Sequence, residues 1–115
     1  MAIVKGQLGA VDVAGTGTLT AIYLVPASKE ADVNVTICNR ADTDTNIRVA
    51  HIKNAGVGSV ANEDYITYDL PTSALASNFS PLSYTGIIMG AADTLAVYSS
   101  ASAVSVQVNG IEDDA

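Results

Sequence analysis

Residues 32–52 read Asp-Val-Asn-Val-Thr-Ile-Cys-Asn-Arg, then Ala-Asp-Thr-Asp-Thr, then Asn-Ile-Arg-Val-Ala-His-Ile. Branched apolar residues occupy alternate positions, at Val33, Val35 and Ile37 in the first run and at Ile47 and Val49 in the second. Because successive side chains of a strand point to opposite faces, each run places these residues on one face. The five residues between the runs favour a turn, so the stretch predicts a β-hairpin.

Short apolar runs bounded by Gly, Pro or Ser recur along the rest of the chain, as is typical of strands. Residues 2–8 predict an N-terminal arm or an edge strand, and residues 9–17 a loop or a weak strand. The run Thr18–Val25 has apolar residues on both faces, which indicates a strand that is covered on both sides. The remaining predicted strands are Tyr65–Leu70, Leu82–Met89, Thr94–Ser99 and Ala103–Ile111.

The segments between these strands carry weaker signals. Residues 54–62 predict a flexible loop, and residues 72–80 predict either a helical turn capped by Ser73 or an irregular crossover. Gly86 predicts a bend or a bulge in its strand, and residues 112–115 predict a frayed acidic tail.

Seven to eight short strands without a clear helix predict an all-β fold. We expect residues 1–115 to form a single domain, an antiparallel β-sandwich of Ig-like or jelly-roll topology. A chain of 115 residues has room for one core, and the sequence has no Trp and one Phe. That core is therefore expected to consist of Val, Ile, Leu and Tyr, which suits strands.

The net charge of −7 is unevenly distributed. The basic residues all lie in the first 53 positions, whereas seven acidic residues and no basic residue follow from Asn54 onward. An acidic surface repels phosphate groups, so we expect neither nucleic acid nor an anionic membrane as a partner. The start of the chain lacks the features of a signal peptide, and no segment is apolar enough to span a bilayer. We expect synthesis in the cytoplasm.

The residues that most often carry chemistry are scarce. His51 is the one histidine and Cys38 the one cysteine, and we interpret both as packing or surface residues at strand ends. The segment Asp42–Asn46 resembles the start of a calcium loop, but Ile47 replaces the required glycine and Lys53 the closing glutamate. The five tyrosines lie on several strands and predict packing rather than a sugar-binding row. We therefore expect no catalytic residue, no metal and no cofactor.

Four segments together carry a resemblance to a known family. They are Ile22-Tyr-Leu-Val-Pro26, Val33-Asn-Val-Thr-Ile-Cys-Asn-Arg40, Ile47-Arg-Val-Ala50, and the ending from Asp93-Thr-Leu-Ala-Val-Tyr-Ser-Ser100 to Val104-Ser-Val-Gln-Val-Asn-Gly110. This combination resembles the small β-sandwich virion proteins of tailed bacteriophages. It departs from their pattern over residues 62–89, where the chain is longer and richer in Ser and Pro.

The resemblance implies a non-catalytic virion structural protein. The role it favours is that of a capsid decoration, or cement, protein that binds the assembled head shell through the major capsid protein. The alternative is a tail, baseplate or fibre accessory protein with glycan binding. The resemblance also implies a dimer or trimer on the capsid surface of the virion, made in the host cytoplasm. Its expected contact is the segment Met1–Leu8 or the exposed edge of the hairpin.

Overall fold

The computed structural model describes residues 3–13, 17–40, 44–72, 82–100 and 104–114. These ranges form eight strands and two single-turn 3-10 helices at Val57–Ser59 and Asn62–Asp64. The strands are β1 (Val4–Val13), β2 (Thr20–Leu24), β3 (Lys29–Asn39), β4 (Thr45–Ile52), β5 (Tyr65–Thr72), β6 (Leu82–Met89), β7 (Thr94–Ser99) and β8 (Val104–Asp114).

The described strands pair into two four-stranded antiparallel sheets. The first sheet has the order β1-β8-β3-β6 and the second the order β2-β7-β4-β5. The antiparallel β-sandwich predicted from the sequence is therefore confirmed. An immunoglobulin-type sheet pairs the first strand with the second, whereas here β1 and β2 lie in different sheets. The topology is that of a jelly roll.

The predicted hairpin between residues 32 and 52 is wrong. β3 pairs with β8 and β6 in the first sheet, whereas β4 pairs with β7 and β5 in the second. The chain therefore crosses from one sheet to the other between Asn39 and Thr45. Alternation of apolar and polar residues identifies the buried face of each strand, but it does not identify the strand with which it pairs. The predicted strands are real, and their apolar faces meet across the interior instead of lying side by side.

One apolar cluster fills the space between the sheets. Val33, Val35 and Ile37 of β3 are fully buried in it together with Ile47 and Val49 of β4. A smaller cluster lies on the outer face of the second sheet, where the segment after β4 covers Ala50, Ile52 and Ala96. Burial on both sides explains why β4 and β7 are so largely buried.

Several predicted boundaries require correction. β1 is an edge strand that continues to Val13, through residues predicted to be a loop or a weak strand. Residues 54–62 contain the first 3-10 turn and the start of the second, where a flexible loop was predicted. β8 extends through Asp114, so the predicted frayed tail is wrong for residues 112–114. The turn or crossover predicted after Thr72 lies outside the described residues.

Irregular pairing accounts for other local differences. A register shift in β2 places both Ile22 and Tyr23 in the core and leaves Leu24 60% exposed. The prediction that this strand is covered on both sides is therefore wrong. Gly86 has a φ of 71° beside a register shift against β3, so of the two predicted alternatives, a bend or a bulge, the strand has a bulge. β5 continues through Pro71, and an edge strand tolerates proline because one side of its backbone is unpaired.

Gly110 lies where two central strands, β8 and β3, leave no room for a side chain. It lies opposite Val33 of β3 and opposite Gly6 of β1. A Cβ atom at this position would lie 2.1 Å from the carbonyl oxygen of Asp32 and 2.8 Å from the Cα atom of Val33. Both atoms belong to the backbone, so they cannot move aside as a flexible side chain would. The pairing of β8 with β3 therefore requires glycine here.

We expect Gly110→Ala to lower the free energy of unfolding by about 3 kcal/mol, because the added methyl group forces the paired strands apart. The measurement is the midpoint of urea unfolding. Gly56→Ala is the matched control, since a Cβ atom at Gly56 meets nothing within 4 Å. Equal midpoints for the two variants would contradict the steric argument.

Candidate functional site

An exposed apolar row crosses the outer face of the first sheet. Asp32 of β3 lies opposite Ile88 of β6 on one side and opposite Ile111 of β8 on the other. Residues directly opposite in a sheet share a face, and this face points away from the core because the next residue, Val33, is fully buried. Ile88 is 68% exposed and Ile111 is 47% exposed. Two large apolar side chains thus stand in solvent on either side of a carboxylate.

Further acidic residues border this row. Glu30 lies two residues before Asp32 on the same face, and it is directly opposite Asp113. The surface forms a groove of about 270 Å³, here called the Ile88–Ile111 groove, lined by Glu30, Ala31, Asp32, Ile88, Ile111 and Asp113. The groove thus combines apolar walls with three carboxylates. Two of them, Glu30 and Asp113, repel each other, because like charges directly opposite across two strands destabilise a sheet.

The nearby cations compensate for these carboxylates only in part, since Asp113 attracts the Lys29 ammonium group and Lys5 lies on the same face, directly opposite Ile111. Lys29 forms an ion pair with Asp114, and this hydrogen bond raises the pKa of the lysine ammonium group. Among the described residues, no ion pair includes Glu30, Asp32 or Asp113. The groove thus keeps a net negative charge towards solvent.

A second surface feature lies on the outer face of the second sheet. The guanidinium carbon of Arg48 lies 4.1 Å from the ring centroid of Tyr68 and 4.2 Å from that of Tyr98. Tyr65 packs edge-on against Tyr68, with the ring centroids 5.0 Å apart. The structure thus brings together three of the five tyrosines, contrary to the expectation that they are dispersed. We call this group the Arg48–tyrosine cluster.

Asp69 holds Arg48 in this position. The Nε atom of Arg48 donates to one oxygen of Asp69 at 2.6 Å, and an Nη atom donates to the other at 3.3 Å. This hydrogen bond raises the pKa of Arg48. Asp69 adopts a left-handed backbone with a φ of 53°, which is uncommon for a residue other than glycine. The register shift of β5 at this point directs its carboxylate to Arg48.

His51 takes part in a polar network at one end of the sandwich. Its Nε2 atom lies 2.7 Å from Oδ2 of Asp93, which is 4% exposed. The backbone amides of Gly90 and Asn54 also donate to this carboxylate, at 2.9 Å and 2.8 Å. Val25 donates its backbone amide to the carbonyl oxygen of Asp93. One aspartate thus connects the ends of β2 and β4 with the turn before β7.

The other residues considered from the sequence are dispersed. Cys38 is half-buried on β3, opposite Ser105 of β8. Asp44 is exposed, while residues 41–43 of the calcium-like segment lie outside the described ranges. In the part of the chain that the structure describes, no three His, Cys, Asp or Glu side chains are grouped to hold a metal ion. The predicted contact at the N-terminus falls on edge strand β1 from Val4 onward, whereas the predicted hairpin edge does not exist.

The groove and the cluster depend on contacts that the sequence does not reveal. Ile88, Asp32 and Ile111 are distant in the chain and meet only through the register of three strands. Tyr68 reaches Arg48 through an irregular strand. An exposed isoleucine within an alternating strand is the one signal that points to the groove, and it becomes visible only once the buried face is known.

Comparison of the chain with protein-family models, with curated proteins and with solved structures gives no significant match. No helix in the described ranges combines the length and the hydrophobicity that crossing a bilayer requires.

The surroundings of Asp93 predict a pH dependence of folding. Burial alone would raise the pKa of Asp93, but hydrogen bonds from His51, Gly90 and Asn54 outweigh it, so this pKa lies below its usual value of 3.8. A carboxyl group with a lowered folded-state pKa stabilises the fold above its unfolded-state pKa. That stabilisation is lost as the pH falls through the folded-state pKa.

We expect Asp93→Asn to cost about 2 kcal/mol of unfolding free energy at neutral pH, because an amide cannot replace both acceptor oxygens. The loss of stability between about pH 5 and pH 2 should also be smaller in this variant than in the unmodified chain. Urea unfolding across this pH range measures both effects. Glu63→Gln is the control, since Glu63 is exposed. Parallel pH profiles for the Asp93 variant and the unmodified chain would contradict the assignment.

Proposed function

We propose that this protein is a non-catalytic structural component of a phage virion, namely a capsid decoration protein that binds the major capsid protein on the assembled head. The observation that carries the proposal is the Ile88–Ile111 groove, in which two exposed isoleucines stand on the outer face of the first sheet. Apolar side chains exposed together on a soluble domain are typical of a docking surface. The resemblance to small virion β-sandwiches supports the same role.

The physical properties of the fold suit this role. Strands of a two-sheet sandwich hold surface side chains in fixed relative positions, so a contact on the sheet face loses little conformational entropy on binding. A protein that binds the assembled shell but not its separated subunits stabilises the shell by mass action. Many identical copies, each with a modest affinity, then add to the strength of the whole particle. In this role the protein is made in the host cytoplasm and resides on the capsid surface, as a dimer or trimer.

The Arg48–tyrosine cluster favours one alternative function. Aromatic rings on a rigid surface stack against sugars, and Tyr68 is 59% exposed. A tail, baseplate or fibre accessory protein that binds glycans would use such a surface. This alternative places the protein in the tail and gives it few copies per particle.

Copy number distinguishes the two locations. We expect hundreds of copies per purified virion when this protein is quantified by mass spectrometry against the major capsid protein. A count of a few to a few tens would assign the protein to the tail, and its absence from the particle would refute both virion roles.

Binding to the shell should depend on the groove. We expect the double variant Ile88→Ser, Ile111→Ser to bind shells stripped of the protein at least tenfold more weakly in co-sedimentation, because it loses the apolar walls. Ile66→Ser is the matched control, since Ile66 is also exposed but belongs to the other sheet. Equal shell binding by the double variant and the control would refute a role for the groove.

The glycan alternative has its own test. If it holds, Tyr68→Ala should abolish binding to the glycan that an array identifies, whereas Ile88→Ala should not, because Ile88 is exposed on the opposite sheet. Glycan binding that survives in Tyr68→Ala would exclude the Arg48–tyrosine cluster as the sugar site.

A further inference from the structure

We infer that the Ile88–Ile111 groove receives an arginine side chain from a partner protein. The aliphatic part of the arginine would lie between the two isoleucines, and its guanidinium group would reach the carboxylates of Asp32, Glu30 and Asp113. This inference deepens the proposed function by naming the chemistry of the partner, and it depends on that function only for the identity of the partner protein.

The spacing of the groove fits one extended cationic side chain. Neighbouring strands lie about 4.8 Å apart, so Ile88 and Ile111, on either side of β3, are separated by roughly 10 Å. Asp32 forms the floor of this gap, and a methylene chain that lies over it would be in van der Waals contact with both isoleucines. Arginine offers an apolar stem with a charged end, and long basic side chains characteristically bury the stem while the charge stays at a polar boundary. The shape and polarity of the groove are therefore complementary to arginine.

The arrangement of the acids favours guanidinium over ammonium. Glu30 and Asp32 follow each other on one face of β3 at roughly 6.7 Å, and Asp113 lies opposite Glu30. A planar guanidinium group with five N–H donors can bond to more than one carboxylate, whereas an ammonium group acts as a point charge. Binding would also relieve the repulsion between Glu30 and Asp113.

The same charges disfavour other occupants. A two-fold dimer through this face would bring together the six carboxylates of two grooves and two copies of Lys5, which lies opposite Ile111, and would leave an excess of negative charge. Three of the five basic residues of a second copy, Lys29, Arg40 and Arg48, are already paired with acids of their own chain. A phosphate backbone or an anionic membrane would be repelled. A basic segment of a different protein is the occupant that charge complementarity supports.

The test uses the whole chain and defined peptides, so it does not require virus particles. The probe is acetyl-Gly-Gly-Arg-Gly-Gly-amide, titrated into methyl-labelled protein and followed by nuclear magnetic resonance. The control peptide carries citrulline, which has nearly the same shape as arginine but no charge. We expect saturable shifts of the Ile88 and Ile111 methyl signals with the arginine peptide, and at least tenfold weaker binding with citrulline.

Protein variants locate the site. Asp32→Asn and Asp113→Asn should each weaken binding of the arginine peptide at least tenfold, whereas the control Glu63→Gln should not change it. Asp113→Asn should unfold at nearly the same urea concentration as the unmodified chain, because it removes both the repulsion with Glu30 and the attraction to Lys29. Unchanged stability together with a loss of binding separates loss of the site from damage to the fold.

Three results would overturn the inference. The first is a failure of the arginine peptide to give saturable shifts at these methyl groups. The second is equal binding of the arginine and citrulline peptides, or equal binding of the arginine peptide by Asp113→Asn and by the unmodified chain. The third is self-association of the unmodified chain that disappears in the double variant Ile88→Ser, Ile111→Ser, which would assign the groove to a second copy. If the peptide binds as expected but the protein does not bind shells, the proposed function fails and the arginine site stands.

Discussion

The apolar layer between the two sheets is the constraint on which the rest of the structure depends. Val33, Val35 and Ile37 of β3 must face inward, where they share one cluster with Ile47 and Val49 of β4. Side chains alternate along a strand, so burial of these residues fixes the outward direction of their neighbours. Asp32 and Arg48 are therefore surface residues because Val33 and Val49 are core residues. The packing of the interior thus determines the surface chemistry of both sheets.

At one end of the sandwich, a polar network supplies hydrogen bonds to backbone groups that apolar packing would leave without a partner. Connections between sheets have no ladder partners, and a buried backbone group without a partner is costly. The Asp93 carboxylate accepts from the amides of Gly90 and Asn54 and from His51. A buried carboxylate is tolerable because these donors compensate for its desolvation. The only histidine of the sequence is thus explained as a structural hydrogen-bond partner.

The sequence predicts where the strands lie much better than it predicts which strands pair with each other. Alternation at Val33 to Ile37 and at Val104 to Val108 identifies β3, β8 and their buried faces without any structure. The same alternation predicts a hairpin between β3 and β4 that does not exist, because a period of two is compatible with pairing in one sheet and with packing across two. The groove depends on the register of Asp32 with Ile88 and Ile111, and no local pattern encodes that register.

The groove carries a cost that folding alone does not explain. Glu30 and Asp113 repel each other across paired strands. Ile88 and Ile111 expose apolar surface to water, which does not stabilise the free chain. Selection for stability alone would replace such residues, whereas residues that serve binding persist at some cost to stability. The acids also keep identical faces apart, which protects an exposed apolar sheet face from self-association. Electrostatic repulsion and exposed apolar surface are both relieved by a single type of ligand, a side chain that is apolar along its length and positive at its end.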